Sequence, residues 1–90
     1  MADTFARETI ETRLVDVFSR YKQGKVDVQL ASVITADLGV DSLAVMEIVA
    51  DLEDSFELTF PDEELPTIKT VADVANLIVL GLEKDGRLTA

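Results

Sequence analysis

Three runs of apolar residues recur every three to four positions, and that period limits the fold more than any other feature of the chain. Ile10, Leu14, Phe18 and Tyr21 form the first, with Val17 beside them. Val45, Ile48, Val49, Leu52 and Phe56 form the second, and Val71, Val74, Ala75, Ile78 and Leu82 the third. Such spacing puts one apolar stripe on each of three α-helices. The first is predicted from Thr4 to about Tyr21, capped by Asp3 or Thr4 and stopped by Lys22-Gln23-Gly24-Lys25, where Gly24 is free to take positive φ. The second runs from Ser42 to Phe56. The third begins at Thr70, which with Asp73 approximates a capping box; Gly81 weakens it late, and Gly86 lies beyond its end.

The connections are equally informative. Val26 to Val40 has no sustained period, yet it holds Val28, Leu30, Val33, Ile34 and Leu38. A polar linker would not carry so many aliphatics, so a long ordered loop packed on the helices is expected. A strand at Lys25 to Leu30 is the alternative, and it lacks an obvious partner. Asp62-Glu63-Glu64-Leu65 reads as one short helical turn, with Pro61 at its first position and Pro66 ending it. Ninety residues make a single domain, 1–90. The expected architecture is all-α: a small four-helix bundle of three longer helices and one short helix, with a long ordered loop between helices 1 and 2. Residues 83–90 are expected to form a frayed tail.

Composition removes most catalytic chemistry. The chain has no cysteine and no histidine. Disulfides, thiolate or imidazole zinc sites and Ser-His or Cys-His nucleophile pairs are thereby excluded. A carboxylate-only enzyme, with Asp41 and Glu47 as a pair, is formally open, but nothing in the sequence points to a pocket. The start lacks the basic and apolar character of a secretory signal, and no apolar run reaches membrane-spanning length. A cytoplasmic monomer without membrane insertion is the expectation. The net charge of −10 argues against nucleic acid as a partner. The acidity is also localised. Residues 26–68 hold eleven acids and no Lys or Arg, whereas the rest holds seven acids against eight bases. The outer face of the second helix carries Leu43, Glu47, Ala50, Asp51 and Asp54, with Met46 near its edge. No lysine is interspersed to relieve repulsion, which favours a face that meets a basic partner over a merely solvated one.

Ser42 stands where the loop gives way to that helix. Either Asp41 or Ser42 could cap the helix, and Gly39 could serve the turn before them. A serine at a helix start is also exposed, and nearby N–H groups favour a phosphate there. One reading is therefore a non-catalytic, acidic protein-interaction domain in which Ser42 is only a helix cap. The other makes Ser42 a covalent acceptor.

The segment Asp37-Leu38-Gly39-Val40-Asp41-Ser42-Leu43 resembles the phosphopantetheine attachment motif of acyl carrier proteins. The following helix, Ala44 to Phe56, is similar to that family's second helix. Phe60-Pro61-Asp62-Glu63-Glu64 and Ile68-Lys69-Thr70-Val71 resemble its third-helix region and the start of its fourth. The resemblance covers about Ile10 to Leu82. It implies that Ser42 carries 4′-phosphopantetheine, transferred from coenzyme A by a phosphopantetheinyl transferase, with acyl intermediates held on the arm as thioesters. Asp41 and Leu43 would assist recognition by the transferase. Glu47, Asp51, Glu53 and Asp54, with Met46 and Ala50, would meet basic patches on acyltransferases and ketosynthase-type enzymes. Val45, Ile48, Val49, Phe56, Ile68 and Ala75 would be candidate acyl-chain liners. Four departures from the family pattern imply a specialised stand-alone carrier, for fatty-acid, specialised lipid or polyketide synthesis. Ala44 replaces an acid common after the motif, Ile34 replaces an aromatic, Pro66 interrupts the third helix, and residues are added at both ends.

Overall fold

The computed structural model describes residues 5–89. Its elements are β1 (Phe5–Ala6), α1 (Arg7–Tyr21), α2 (Ser42–Phe56), a 3₁₀ helix (Asp62–Thr67), α3 (Val71–Lys84) and β2 (Leu88–Thr89). The expected bundle of three longer helices and one short one is present, with a minimal parallel pairing of β1 and β2 added to it. The apolar stripes face one another. Ile10, Leu14 and Phe18 of α1 pack with Ile48, Val49, Leu52 and Phe56 of α2 and with Val71, Val74, Ala75, Ile78 and Leu82 of α3. Val79 joins the α3 stripe, while Val45 is only half-buried.

The first helix starts at Arg7, three residues later than its period predicts. Ala6 occupies the cap position and supplies no side-chain bond. The proposed caps, Asp3 and Thr4, lie outside the described residues. The late start has a nonlocal cause: Phe5 and Ala6 are extended alongside Leu88 and Thr89, and the Phe5 N–H donates to the Arg87 carbonyl at 2.8 Å.

No strand forms at Lys25 to Leu30. The loop from residue 22 to 41 is instead held by the start of α3. The Val71 N–H donates to Ser32 O at 3.1 Å, the Ala72 N–H to Leu30 O at 2.8 Å, and the Ile34 N–H to Lys69 O at 2.9 Å. Ile34, Leu38 and Val40 are buried from that loop, so it is an ordered layer of the core.

Pro61 is the N-cap of the 3₁₀ helix and not its first residue, and Pro66 lies inside the helix, which continues to Thr67. A proline is tolerated there because its fixed φ suits the tight helix, and its missing N–H removes one bond from a short element. The α3 capping box is complete. Thr70 Oγ1 accepts from the Asp73 N–H at 3.2 Å, and Asp73 Oδ2 accepts from the N–H groups of Thr70 and Lys69 at 3.0 and 2.9 Å. Asp therefore suffices where Glu is the usual partner. Gly81 sits within α3, where a Cβ would meet the Leu58 side chain at 3.3 Å.

Of the tail expected to fray, residues 83–90, the described part is instead tied down, and Ala90 lies outside the described residues. Glu83 and Lys84 complete α3, and Arg87 is 6 % exposed. Its guanidinium donates to the carbonyls of Phe56 and Glu57, at 2.8 and 2.9 Å, at the C-terminal end of α2. Both ends of the described chain thus converge on Phe56, whose ring also meets Phe5 edge-on at 4.9 Å and lies beneath Arg13.

Candidate functional site

The loop delivers the serine by burying alternate residues. Leu38 and Val40 are buried, and between them Gly39 takes φ 67° with its α-carbon against Gln23. A Cβ there would lie 3.0 Å from Gln23 Cβ, so conformation and close approach both favour glycine. Asp37 folds the loop on itself, its Oδ2 accepting from the Val33 N–H at 2.7 Å.

Asp41 then caps α2. Its backbone is extended, and its Oδ1 accepts from the Ala44 N–H at 2.8 Å. Of the two candidate caps the structure uses Asp41, and Ser42 becomes the first helical residue. Ser42 is exposed, and its hydroxyl makes no hydrogen bond to a described side chain. The first N–H groups of a helix have no intrahelical acceptor and carry partial positive charge. Asp41 satisfies Ala44, which leaves those of Ser42 and Leu43 for an external oxygen.

Beside Ser42 opens a mainly apolar groove of about 350 Å³, between the start of α2, the loop and the 3₁₀ helix. Val45, Met46, Ile68, Leu65, Pro66 and Thr35 line it. Of the six candidate acyl-chain liners, the structure places only Val45 and Ile68 there; Ile48, Val49, Phe56 and Ala75 are closed into the core. Thr35 and Leu65 escaped sequence reasoning, since they come from aperiodic segments, while Pro66 was visible only as a departure from a helical pattern.

Leu43 and Met46 are 70 % and 52 % exposed, and Glu47, Ala50, Asp51 and Asp54 are exposed along the same helix. Glu53 is different. It is half-buried, and its Oε2 accepts from the Phe60 N–H at 2.8 Å, bracing the connection after α2. Its carboxylate is engaged internally, not offered with the others. Asp51 receives the Tyr21 hydroxyl at 3.3 Å. Partial desolvation first, then the negative charges of Asp51 and Glu47, push Tyr21 ionisation above its ordinary range, so the phenol stays a donor. Among the described residues there is no cluster of metal-ligating side chains, and no helix is long and apolar enough to cross a membrane.

A helical bundle that presents a free serine at a helix start, beside a groove and an acidic helix face, has the form of a carrier domain. The model of the family described as "Phosphopantetheine attachment site" matches residues 25–78. An acyl carrier protein of Rickettsia bellii is 39 % identical over 72 residues, covering 79 % of this chain and 84 % of that one. One from Exiguobacterium sibiricum is 57 % identical over 42 residues, 47 % of this chain and about half (53 %) of the relative's length. The crystal structure of an acyl carrier protein from Thermotoga maritima superposes with a TM-score of 0.73 at 28 % identity, covering 88 % of this chain and 93 % of that one. The chain belongs to the acyl carrier protein family, whose covalent cofactor is 4′-phosphopantetheine.

Proposed function

We propose that Ser42 Oγ is the attachment point of 4′-phosphopantetheine and that the chain carries acyl groups between enzymes without catalysing their reactions. The observation behind this reading is the division of roles at the start of α2. Asp41 caps the helix, so the Ser42 hydroxyl stays exposed and uncommitted at the mouth of the apolar groove. The surroundings suit the group chemically: helix-start N–H groups favour a phosphodiester, and the apolar walls suit an alkyl arm. When bound, the group supplies a terminal thiol, absent from this cysteine-free chain, that holds acyl groups as thioesters.

A separate phosphopantetheinyl transferase would load the arm from coenzyme A. Incubation with coenzyme A and a broad-specificity transferase should raise the intact mass by one phosphopantetheinyl group, and Ser42→Ala should abolish the gain. No gain on the wild type, or an equal gain on the variant, would return Ser42 to the role of an ordinary helix residue in an interaction domain.

Leu43, Met46, Glu47, Ala50, Asp51 and Asp54 form the face offered to acyltransferases, ketosynthases and the transferase, with opposite charge steering encounter. Complexes of this kind weaken as salt screens them. Binding to a ketosynthase that stays constant from low to high ionic strength would contradict charge steering. Ala44, in the first turn of α2, adds no acid to that face. Together with Ile34 and Pro66, it supports a specialised stand-alone carrier over a general fatty-acid one.

A further inference from the structure

The middle of the loop of residues 22–41 is bonded to the start of α3. The Ile34 N–H donates to Lys69 O at 2.9 Å, Val33 forms an antiparallel bridge with Thr70, and the N–H groups of Val71 and Ala72 donate to Ser32 O and Leu30 O. Lys69 is also held from its other side. Its N–H donates to Asp73 Oδ2 at 2.9 Å, and the same oxygen accepts from the Thr70 N–H at 3.0 Å. Asp73 and Ile34 therefore grip one residue between them. The neighbours of that junction are walls of the groove beside Ser42: Thr35 follows Ile34 on the loop, Ile68 precedes Lys69, and both line the groove. Ile34 is itself buried, and its carbonyl accepts at 3.1 Å from the N–H of Val40, just ahead of Asp41 and Ser42.

We propose that Asp73 is a positioning residue for this groove: by pinning Lys69 it fixes the separation of the Thr35 and Ile68 walls and holds the stretch of loop that leads to Ser42. A capping box ordinarily acts on its own helix; this one also acts across to a separate segment. With the carboxylate bonded, the Lys69 carbonyl is aimed at Ile34 and the two walls stay together. Without it, Lys69 is free to turn, the Ile34 bond breaks, and the loop from Ile34 to Val40 moves away from Ile68. Opening of one such segment costs less than global unfolding, so the groove widens while the contacts of Ile48, Leu52 and Phe56 persist. That the groove receives the arm or its cargo rests on the function proposed above; the latch at Asp73 does not.

The test compares amide hydrogen exchange, read by NMR on the full chain without an arm, in wild type and Asp73→Ala. Failure of phosphopantetheine attachment at Ser42 leaves this measurement unaffected. Losing a bond to a charged acceptor favours local opening by about tenfold or more. Acceleration of that order is expected at Ile34 and Val40, with displaced amide resonances at Thr35 and Ile68. Asp73→Asn, similar in shape but uncharged, is the milder second variant and should accelerate the same two amides to a smaller extent. Asp73→Glu, which restores the usual capping-box acid, should return them to near wild-type rates. Arg87→Lys, which weakens the far end of α2, should leave them unchanged. Acceleration confined to Val71 and Ala72, in the first turn of α3, would make Asp73 an ordinary helix cap and overturn the proposal. Equal acceleration of Ile34 in Arg87→Lys and Asp73→Ala would overturn it too, since the effect would then be one of overall stability.

Discussion

Removing the Arg87 side chain tests whether the last turn of α2 depends on a residue thirty positions away. In Arg87→Ala the carbonyls of Phe56 and Glu57 lose donors at 2.8 and 2.9 Å. A helix's last carbonyls have no intrahelical partner, and a cation among them also offsets the negative end of the helix dipole. Charge-assisted bonds of this kind are each worth about 1.5–3 kcal/mol, and a stranded buried acceptor costs a similar amount. The Phe56 bond is buried and the Glu57 bond partly so. The Asp85 partner is half-exposed, so its pairing adds little. The expected loss is therefore about 3 kcal/mol, out of about 5–14 kcal/mol for a domain of this length. Urea unfolding followed by far-ultraviolet circular dichroism should show a lower midpoint at unchanged slope, and the Tm should fall by about 12–24 °C. Arg87→Lys should be intermediate, because a single ammonium lacks the fork that spans two carbonyls. Faster amide exchange should be confined at first to Glu57 and Leu58, whose N–H groups close the end of α2. A loss for Arg87→Ala below about 1 kcal/mol would refute the claim that the tail holds the helix.

Glu57 ends α2 at φ 54°, a left-handed conformation that L-residues other than glycine adopt at a cost; Glu57→Gly should raise stability by about 0.5–1 kcal/mol in urea titrations. Gly39→Ala combines positive φ with a Cβ 3.0 Å from Gln23 Cβ, and should lower stability by about 2 kcal/mol by the same measurement, with wild-type values counting against the tight turn. The Thr70 and then the Lys69 N–H groups hold the Asp73 carboxyl below its ordinary range. A depressed folded-state pKa stabilises above the unfolded value and is lost as pH falls through the folded one. The stability gap between wild type and Asp73→Asn should thus be full near neutrality and shrink through the acid range, and a gap independent of pH would exclude this linkage.

The helices were legible because each stripe is a local property. Ile48, Leu52 and Phe56 fall on one side of α2 whatever surrounds them. What the chain concealed is nonlocal or ambiguous by residue type. The start of α1 is set by residues 83 positions away in β2, where Phe5 pairs with Leu88 and Ala6 with Thr89. The burial of Arg87 depends on carbonyls that an unfolded reading cannot place beside it. Glu53 has the spacing of a surface acid, but the chain after α2 turns back and puts the Phe60 N–H within its reach. Asp41 and Ser42 are both good caps by type, so only geometry could assign the cap to one of them.

That last assignment bears on how such a site can work at all. A capping serine would give its oxygen to a backbone N–H, and modification of that oxygen would then weaken the helix that presents it. With Asp41 as the cap, the Ala44 N–H is satisfied whatever happens at Ser42 Oγ. The first turn of α2 also contains no acid of its own, and the Asp41 carboxylate is taken up by the Ala44 N–H, so a phosphodiester at the proposed site would meet the remaining helix-start N–H groups. On the proposed reading, helix stability and arm attachment are carried by adjacent residues with separate chemistry. It follows that substituting Asp41 should disturb the start of α2 even in a chain that bears no arm, whereas substituting Ser42 should remove the proposed attachment point and leave the helix start in place.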